Sequence, residues 1–199
     1  MELSKRQKEI IEAAICLIAK NGIEGLTTKA LSACVGISEP ALYRHFSNKA
    51  EIVRAMIACF DSDVENLKNT QSGWQFIKAF FANRIEQVMT EPALANIIYS
   101  EELFIHNGDY AGLMKEMMHK HRNMIMENIV IASKNGVIRN DIAPEMVFRM
   151  LAGSLRLLIK QYGMSGNAFD LCSESTILFN TWDTLFFKIK YSSMFNQEV

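Results

Sequence analysis

Gly25-Leu26-Thr27-Thr28-Lys29-Ala30-Leu31-Ser32-Ala33-Cys34-Val35-Gly36-Ile37-Ser38-Glu39-Pro40-Ala41-Leu42-Tyr43-Arg44-His45-Phe46-Ser47-Asn48-Lys49 reads as two short helices joined by a tight turn. Leu26 stands just before a Thr cap and Leu31 falls at the fourth helical position, the spacing of a hydrophobic staple. The helix that follows runs to Val35 and stops at Gly36, the residue best able to take a left-handed conformation, and Ile37 then turns back to the core. Ser38 caps the next helix, and Pro40 is tolerated because it sits in the first turn. Leu42 and Phe46, four apart, anchor that helix, while Glu39, Ala41, Tyr43, Arg44 and His45 occupy its other faces. Two short helices around a Gly-containing turn, the second small-residued and polar outward, form the pattern of a helix-turn-helix. Spacing alone leaves a plain packing corner open.

Outward from this segment the periodicity stays helical. Ser4-Lys5-Arg6-Gln7 is a capping box opening a helix with an apolar face of Ile10, Ile11, Ala14, Ile15, Leu17 and Ile18, ended by Asn21-Gly22. Asn48-Lys49-Ala50-Glu51 starts a fourth helix to about Lys68. The polar break 69–73 precedes helices expected near 74–89, 92–104, 109–134, 144–162 and 170–190, with turn chemistry in most of the gaps. The expected fold is all-α with about nine helices. Residues 1–48 form an N-terminal three-helix unit, helix 4 (about 48–68) links it to the rest, and 49–199 form a larger helical domain.

The bulk numbers fit that division. Among 199 residues, 49% are hydrophobic and 22% charged, enough apolar surface for a core and for an interface or pocket besides. A net charge of −1 gives no general attraction to nucleic acid. Within the first fifty residues, however, Lys5, Arg6, Lys8, Lys20, Lys29, Arg44 and Lys49 outnumber Glu2, Glu9, Glu12, Glu24 and Glu39, which suits a segment making a few placed phosphate contacts. Cys16, Cys34, Cys59 and Cys172 have no CxxC spacing and fall in apolar helical patterns, so they are expected to be reduced core residues of a cytoplasmic protein. The run Ala13 to Ala19 lacks signal-peptide flanks and is too short to span a membrane.

Residues 25–49 closely resemble the DNA-binding signature of the TetR (tetracycline-repressor, AcrR-like) family of transcription regulators: a Thr pair, a Gly-hydrophobic-Ser turn, a Leu-Tyr pair, an aromatic Phe, and a Lys three residues on. The resemblance implies that Thr28 and Lys29, with Thr27 beside them, approach the sugar–phosphate backbone of double-stranded operator DNA. It places Ser38, Glu39, Pro40, Ala41, Tyr43, Arg44 and His45 at the groove and Lys49 on a phosphate. The physics agrees for Lys49, whose charge adds to that of a helix N-terminus. Glu39 either accepts from a cytosine amino group or supports the helix dipole, with the second favoured.

Beyond the first quarter of the chain the resemblance is looser. It assigns the last two helices to a homodimer interface, for which the apolar stripes offer Leu151, Leu155, Leu158, Ile159 and Tyr162, then Leu178, Trp182, Leu185, Phe186 and Ile189, with Ile177 beside them. Gly153 and Ser154 would allow close helix approach. The alternative for any of these is intramolecular core. In the middle helices, large flexible side chains can line an adaptable apolar pocket. Phe80, Phe104, Met117, Met118 and Met124, with Tyr99, Asn83, Arg84 and His121 as orienting polar groups, are the candidates for a small lipophilic or aromatic effector. Ordinary core packing is the competing account of each.

His119 and His121, two apart on a helix, point in different directions and make no metal pair, and no cofactor is expected. With no Walker loop, GxSxG elbow or GxGxxG, an enzyme or carrier reading has no residues to rest on. The expected function is a repressor released by its effector from a near-palindromic operator. The alternative is a DNA-bound structural or cell-cycle factor of the same fold that answers to a protein partner.

Overall fold

In a computed structural model that describes residues 3–61, 64–96 and 108–188, the chain folds into nine α-helices among the described residues. They are α1 (Lys5–Asn21), α2 (Thr28–Val35), α3 (Glu39–Leu42), α4 (Lys49–Asp61), α5 (Val64–Thr70), α6 (Gly73–Thr90), α7 (Gly108–Lys134), α8 (Pro144–Met164) and α9 (Leu171–Phe186). Two 3-10 turns, Ile23–Gly25 and Pro92–Asn96, complete the helical content. An isolated bridge pairs Ile138 with Phe187. The expected helix from 92 to 104 is described only as its opening 3-10 turn. The single helix expected over 48–68 is described as α4 and α5.

Local caps set the first four helices. Ser4 Oγ accepts from Gln7 N while Gln7 Oε1 accepts from Ser4 N, the reciprocal capping box read from the sequence. Thr27 Oγ1 accepts from Ala30 N, Ser38 Oγ from Ala41 N, and Asn48 Oδ1 from Glu51 N. Each satisfies a helix N–H that otherwise lacks an intrahelical partner. Gly36 ends α2 at φ 72°, ψ 35°, the left-handed region in which a side chain is strained.

The N-terminal helices and the rest share one continuous core. Ile10, Ala14, Leu26, Leu31 and Leu42 fill its N-terminal end, and Val53 and Met56 of α4 carry it toward Ile77, Met124 and Leu151. α4 packs against both α1 and α7, and α7 in turn lies against α6 and α8. The C-terminal end of the bundle is tied by polar groups. Asp183 of α9 accepts from Trp74 Nε1 and from Lys78 Nζ, both at 2.7 Å. Gly73, at φ 61°, donates its N–H at 2.7 Å to the buried Asn128 side chain. Asn128 thereby supplies the start of α6 with the cap that Ser72 does not provide.

The cysteines depart from their expected place: Cys16, Cys34 and Cys172 are exposed, and only Cys59 is half-buried and packed against the core, all as free thiols. Each lies on an amphipathic helix but toward its outer edge, where a small apolar side chain costs little. Within the chain, Gly153 sits at no tight helix crossing, since a Cβ built there meets nothing within 4 Å. Ser154 does join two helices, accepting from Trp182 Nε1 at 3.1 Å. Among the described residues, no helix is long and apolar enough to cross a membrane, and no cluster of three or more His, Cys, Asp or Glu side chains is placed to hold a metal.

Candidate functional site

The α2–α3 unit exposes the side chains expected to read DNA. Leu42 and Phe46 are buried and fix α3 to the N-terminal core, so the opposite side is turned outward. Lys29, Ser38, Glu39, Pro40 and Arg44 are exposed, and Tyr43 keeps 48% of its surface in solvent. Thr28, Ala41 and His45 are half-buried. Thr27 and Ser38 are exposed, with their hydroxyls engaged as caps. Gln7, which the sequence reading used only as a cap, also donates through Nε2 to the His45 carbonyl at 3.2 Å. It thus ties the end of the α3 turn to α1. Nothing local marks that role, since the two residues lie 38 positions apart.

Lys49 is placed differently from an open phosphate ligand. It is half-buried at the first position of α4, with Nζ 5.6 Å from the centroid of the buried Tyr110 ring on α7, a cation–π contact. At the other end of α4, Asp61 accepts from Lys120 Nζ at 3.0 Å and pairs with His121 Nε2, both on α7. Burial alone would push the Asp61 carboxyl up. The hydrogen bonds and charges of His121 and Lys120 outweigh it and hold the group at about 2. α4 is therefore pinned to α7 at both ends.

His121 also faces a cavity of about 360 Å³. Phe80, Phe81 and Arg84 of α6 line it, with Met117, Met118, His121, Arg122 and Ile125 of α7 and Phe148, Arg149, Ala152, Gly153, Leu155 and Arg156 of α8. Five expected ligand residues thus meet at one cavity: Phe80, Arg84, Met117, Met118 and His121. Met124 is buried in the core and Asn83 is half-buried, and neither lines the cavity. Tyr99 and Phe104 lie outside the described residues. The residues the sequence reading missed are mainly Arg122, Arg149 and Arg156. Their signal was available in α8, where Arg149 and Arg156, seven apart, share a helix face with Ala152.

For the last two helices the structure separates core from surface. Leu151, Leu155, Ile159, Trp182 and Phe186 are buried within the chain and cannot present themselves to a partner. Trp182 packs its ring between Phe81 and Phe179. Leu158, Tyr162 and Leu178 are half-buried, Leu185 is exposed, and Ile189 lies outside the described residues. Exposed apolar side chains instead follow the outer face of α8 at Met146, Met150, Leu157 and Met164, and that of α9 at Ile177 and Leu185. The sequence stripe was two-faced: five of the expected interface residues lie on its inner face, while Ile177 and Leu185 lie on the outer one.

Because the folded-state pKa of Asp61 is depressed, its pairing stabilises the chain fully above the ordinary carboxylate pKa near 3.8 and is lost as pH falls toward about 2. Urea unfolding of the chain and of Asp61→Asn should therefore differ at pH 7, and the difference should shrink between pH 4 and 2. A pH-independent difference would show that the pair contributes through shape and not through charge.

Comparison with known proteins agrees with this geometry. The family model "Bacterial regulatory proteins, tetR family" matches residues 10–56, which run from α1 through α2 and α3 into α4. The nucleoid occlusion factor SlmA of Haemophilus ducreyi is 26% identical over 113 residues, 54% of this chain, and the match spans 56% of that protein's length. The HTH-type transcriptional repressor KstR2 of Rhodococcus jostii is 22% identical over 169 residues, 82% of this chain and 83% of its own. Among solved structures, the transcriptional regulator FadR of Bacillus subtilis in complex with stearoyl-CoA superimposes with a TM-score of 0.74 at 17% identity, covering 89% of this chain and 97% of that one. At that identity the likeness is one of fold. The N-terminal signature, the helical order and these relatives agree, and residues 10–56 carry the N-terminal domain of the family "Bacterial regulatory proteins, tetR family".

Proposed function

We propose that this chain is a DNA-binding transcription regulator, a homodimeric repressor that a small lipophilic effector releases from a near-palindromic operator. The observation that carries the reading is α3 itself. It is a short helix whose apolar side is spent on Leu42 and Phe46, leaving Pro40, Tyr43 and Arg44 exposed at its surface. Such a helix fits a major groove, where Tyr and Arg reach phosphates or base edges. One helix with few base contacts cannot supply operator-level specificity. A twofold dimer sets two of them about 34 to 36 Å apart, one turn of DNA.

The exposed stripe of α8 and α9 supports the dimer, because Met146, Met150, Leu157, Ile177 and Leu185 form an apolar surface of the kind that marks a protein contact. The cavity supports the effector, since about 360 Å³ lies in the range of small-molecule sites, roughly 300 to 1,000 Å³. A ligand there touches His121, whose partner Asp61 ends α4, so a small shift of α7 reaches the reading head through one helix. A preference of about 1 to 3 kcal/mol for one setting of α4 changes DNA affinity roughly 5- to 150-fold. The alternative, a DNA-bound factor governed by a protein partner as the match to a nucleoid occlusion factor suggests, leaves this cavity without a role.

Two experiments test the reading. With an operator isolated by sequencing genomic fragments that the protein retains, Lys29→Ala should lower the salt slope of binding by about one unit, the loss of one phosphate contact. Lys29 serves better than Lys49, whose replacement also removes the contact with Tyr110. An unchanged slope would remove Lys29 from the interface. In the second, Leu157→Glu, at a 57% exposed position, should give helical monomers by sedimentation that no longer bind the operator. Leu155→Glu should instead unfold the chain, because it buries a charge in the core. Operator binding by Leu157→Glu at full affinity would refute the dimer through this face.

A further inference from the structure

We propose that Gln7 is a positioning residue for sequence reading: by donating to the His45 carbonyl it fixes how Tyr43 and Arg44 project, and so sets the preference for an operator over random DNA. This rests on reading α2 and α3 as the DNA-facing unit. α3 has four residues, Glu39–Leu42, so Tyr43 and Arg44 follow its last helical position and stand in a turn that closes on the buried Phe46. A helix that short has no stability of its own. What orders the turn is therefore what it is attached to.

The attachments act in different ways. Ser38 Oγ caps the start of α3, while Leu42 and Phe46 are buried in the N-terminal core. Apolar burial sets how deep the turn sits but has no direction. Within the turn, His45 N donates to the Leu42 carbonyl at 2.9 Å and Arg44 N to the Ala41 carbonyl at 3.3 Å, bonds that shape it locally without orienting it against the rest of the head. Gln7 Nε2 supplies the orientation from α1, 3.2 Å from the carbonyl of the residue that directly follows the exposed Tyr43 and Arg44. Its amide has one way round, since Oε1 accepts from Ser4 N at 3.0 Å. Reversing it would set oxygen against the His45 carbonyl and an amino group against the Ser4 N–H. The capping box of α1 thus aims the donor that holds the turn. Phosphate contacts carry no sequence information and tolerate a turn that wavers, whereas contacts to base edges do not. Loss of the tether should therefore act on operator binding and spare random DNA.

Fluorescence anisotropy with an operator isolated from retained genomic fragments, and with a random duplex of the same length at the same salt, tests the assignment. Gln7→Met, a neutral replacement of similar length, removes both bonds of the amide. Gln7→Glu keeps an acceptor for Ser4 N and turns an oxygen toward the His45 carbonyl; its added charge acts on both duplexes, so the ratio of affinities reports the tether. Ser4→Ala weakens the capping box and leaves the bond from Gln7 to His45 in place. Both Gln7 variants should lower the operator-to-random ratio, roughly 2- to 12-fold for each head and thus roughly 5- to 150-fold in a twofold dimer. Ser4→Ala should leave the ratio unchanged even where the melting temperature falls as far. Amide hydrogen exchange at His45 and Phe46 should quicken in the Gln7 variants alone. A parental ratio in both Gln7 variants, or an equal loss in Ser4→Ala, would overturn the role of Gln7 and leave DNA reading by α3 intact. Should Gln7→Met fail to fold, Gln7→Glu, which retains the capping box, decides the matter by the same ratio. A parent chain that prefers no duplex to random DNA would instead take down the DNA-reading interpretation, and this proposal with it.

Discussion

The helix α4 is held to α7 at two points, by the Lys49 ammonium over the Tyr110 ring and by Asp61 against His121 and Lys120, and this double attachment helps to join the N-terminal helices to the larger helical part. Along its length α4 also buries Ile52, Val53 and Met56 in the common core and packs against α1. It therefore cannot move relative to α7 without disturbing either an ion pair or a packed interior, and close-packed interiors shift between discrete arrangements more readily than they deform. The ion pair is the softer of the two constraints. It is also the one whose His121 member forms part of the cavity wall.

The reading head at the other end of α4 is stiff for a different reason. Ser4, Thr27, Ser38 and Asn48 each cap a helix start, and Gln7 ties the turn after α3 back to α1. Such contacts are worth roughly 0.5 to 2 kcal/mol apiece. Together with Leu26, Leu31, Leu42 and Phe46 in the core they fasten α2 and α3 into one packed unit. Rigidity there and a soft pin at Asp61 are complementary. On the proposed reading, a displacement arriving through α4 would reorient the head and would not be absorbed by it.

How much of this the sequence disclosed follows from the range of the physics involved. Caps and stops are local, so the Ser4 box, the Thr27 and Ser38 caps and the Gly36 stop were legible from a few residues each. Core and interface were not separable along α8, because Leu151, Leu155 and Ile159 alternate with Met150 and Leu157 on a helix that is apolar on two sides. Only the neighbours of a helix decide which side is covered. The cysteines failed for the same reason. The cavity was half legible: Phe80, Met117 and His121 were recognisable as a soft apolar set with a polar group, but the weight given to apolar side chains hid the arginines. Their clustering joins α6, α7 and α8, and no window of sequence contains it.

The cavity lining divides in the same way between fixed and adjustable side chains. Arg84, buried beneath the Phe80 ring, is fixed by packing, whereas Arg122 and Arg149 are exposed and can adjust. His121 stands between these behaviours, with its ring edge-on to Phe80 at 5.2 Å and its Nε2 committed to Asp61. A guest that packs against Phe80 necessarily presses on the same imidazole. On the proposed reading, the group that meets the ligand is also the group that holds α4, so occupancy need not be relayed through a long chain of side chains before it reaches α2 and α3.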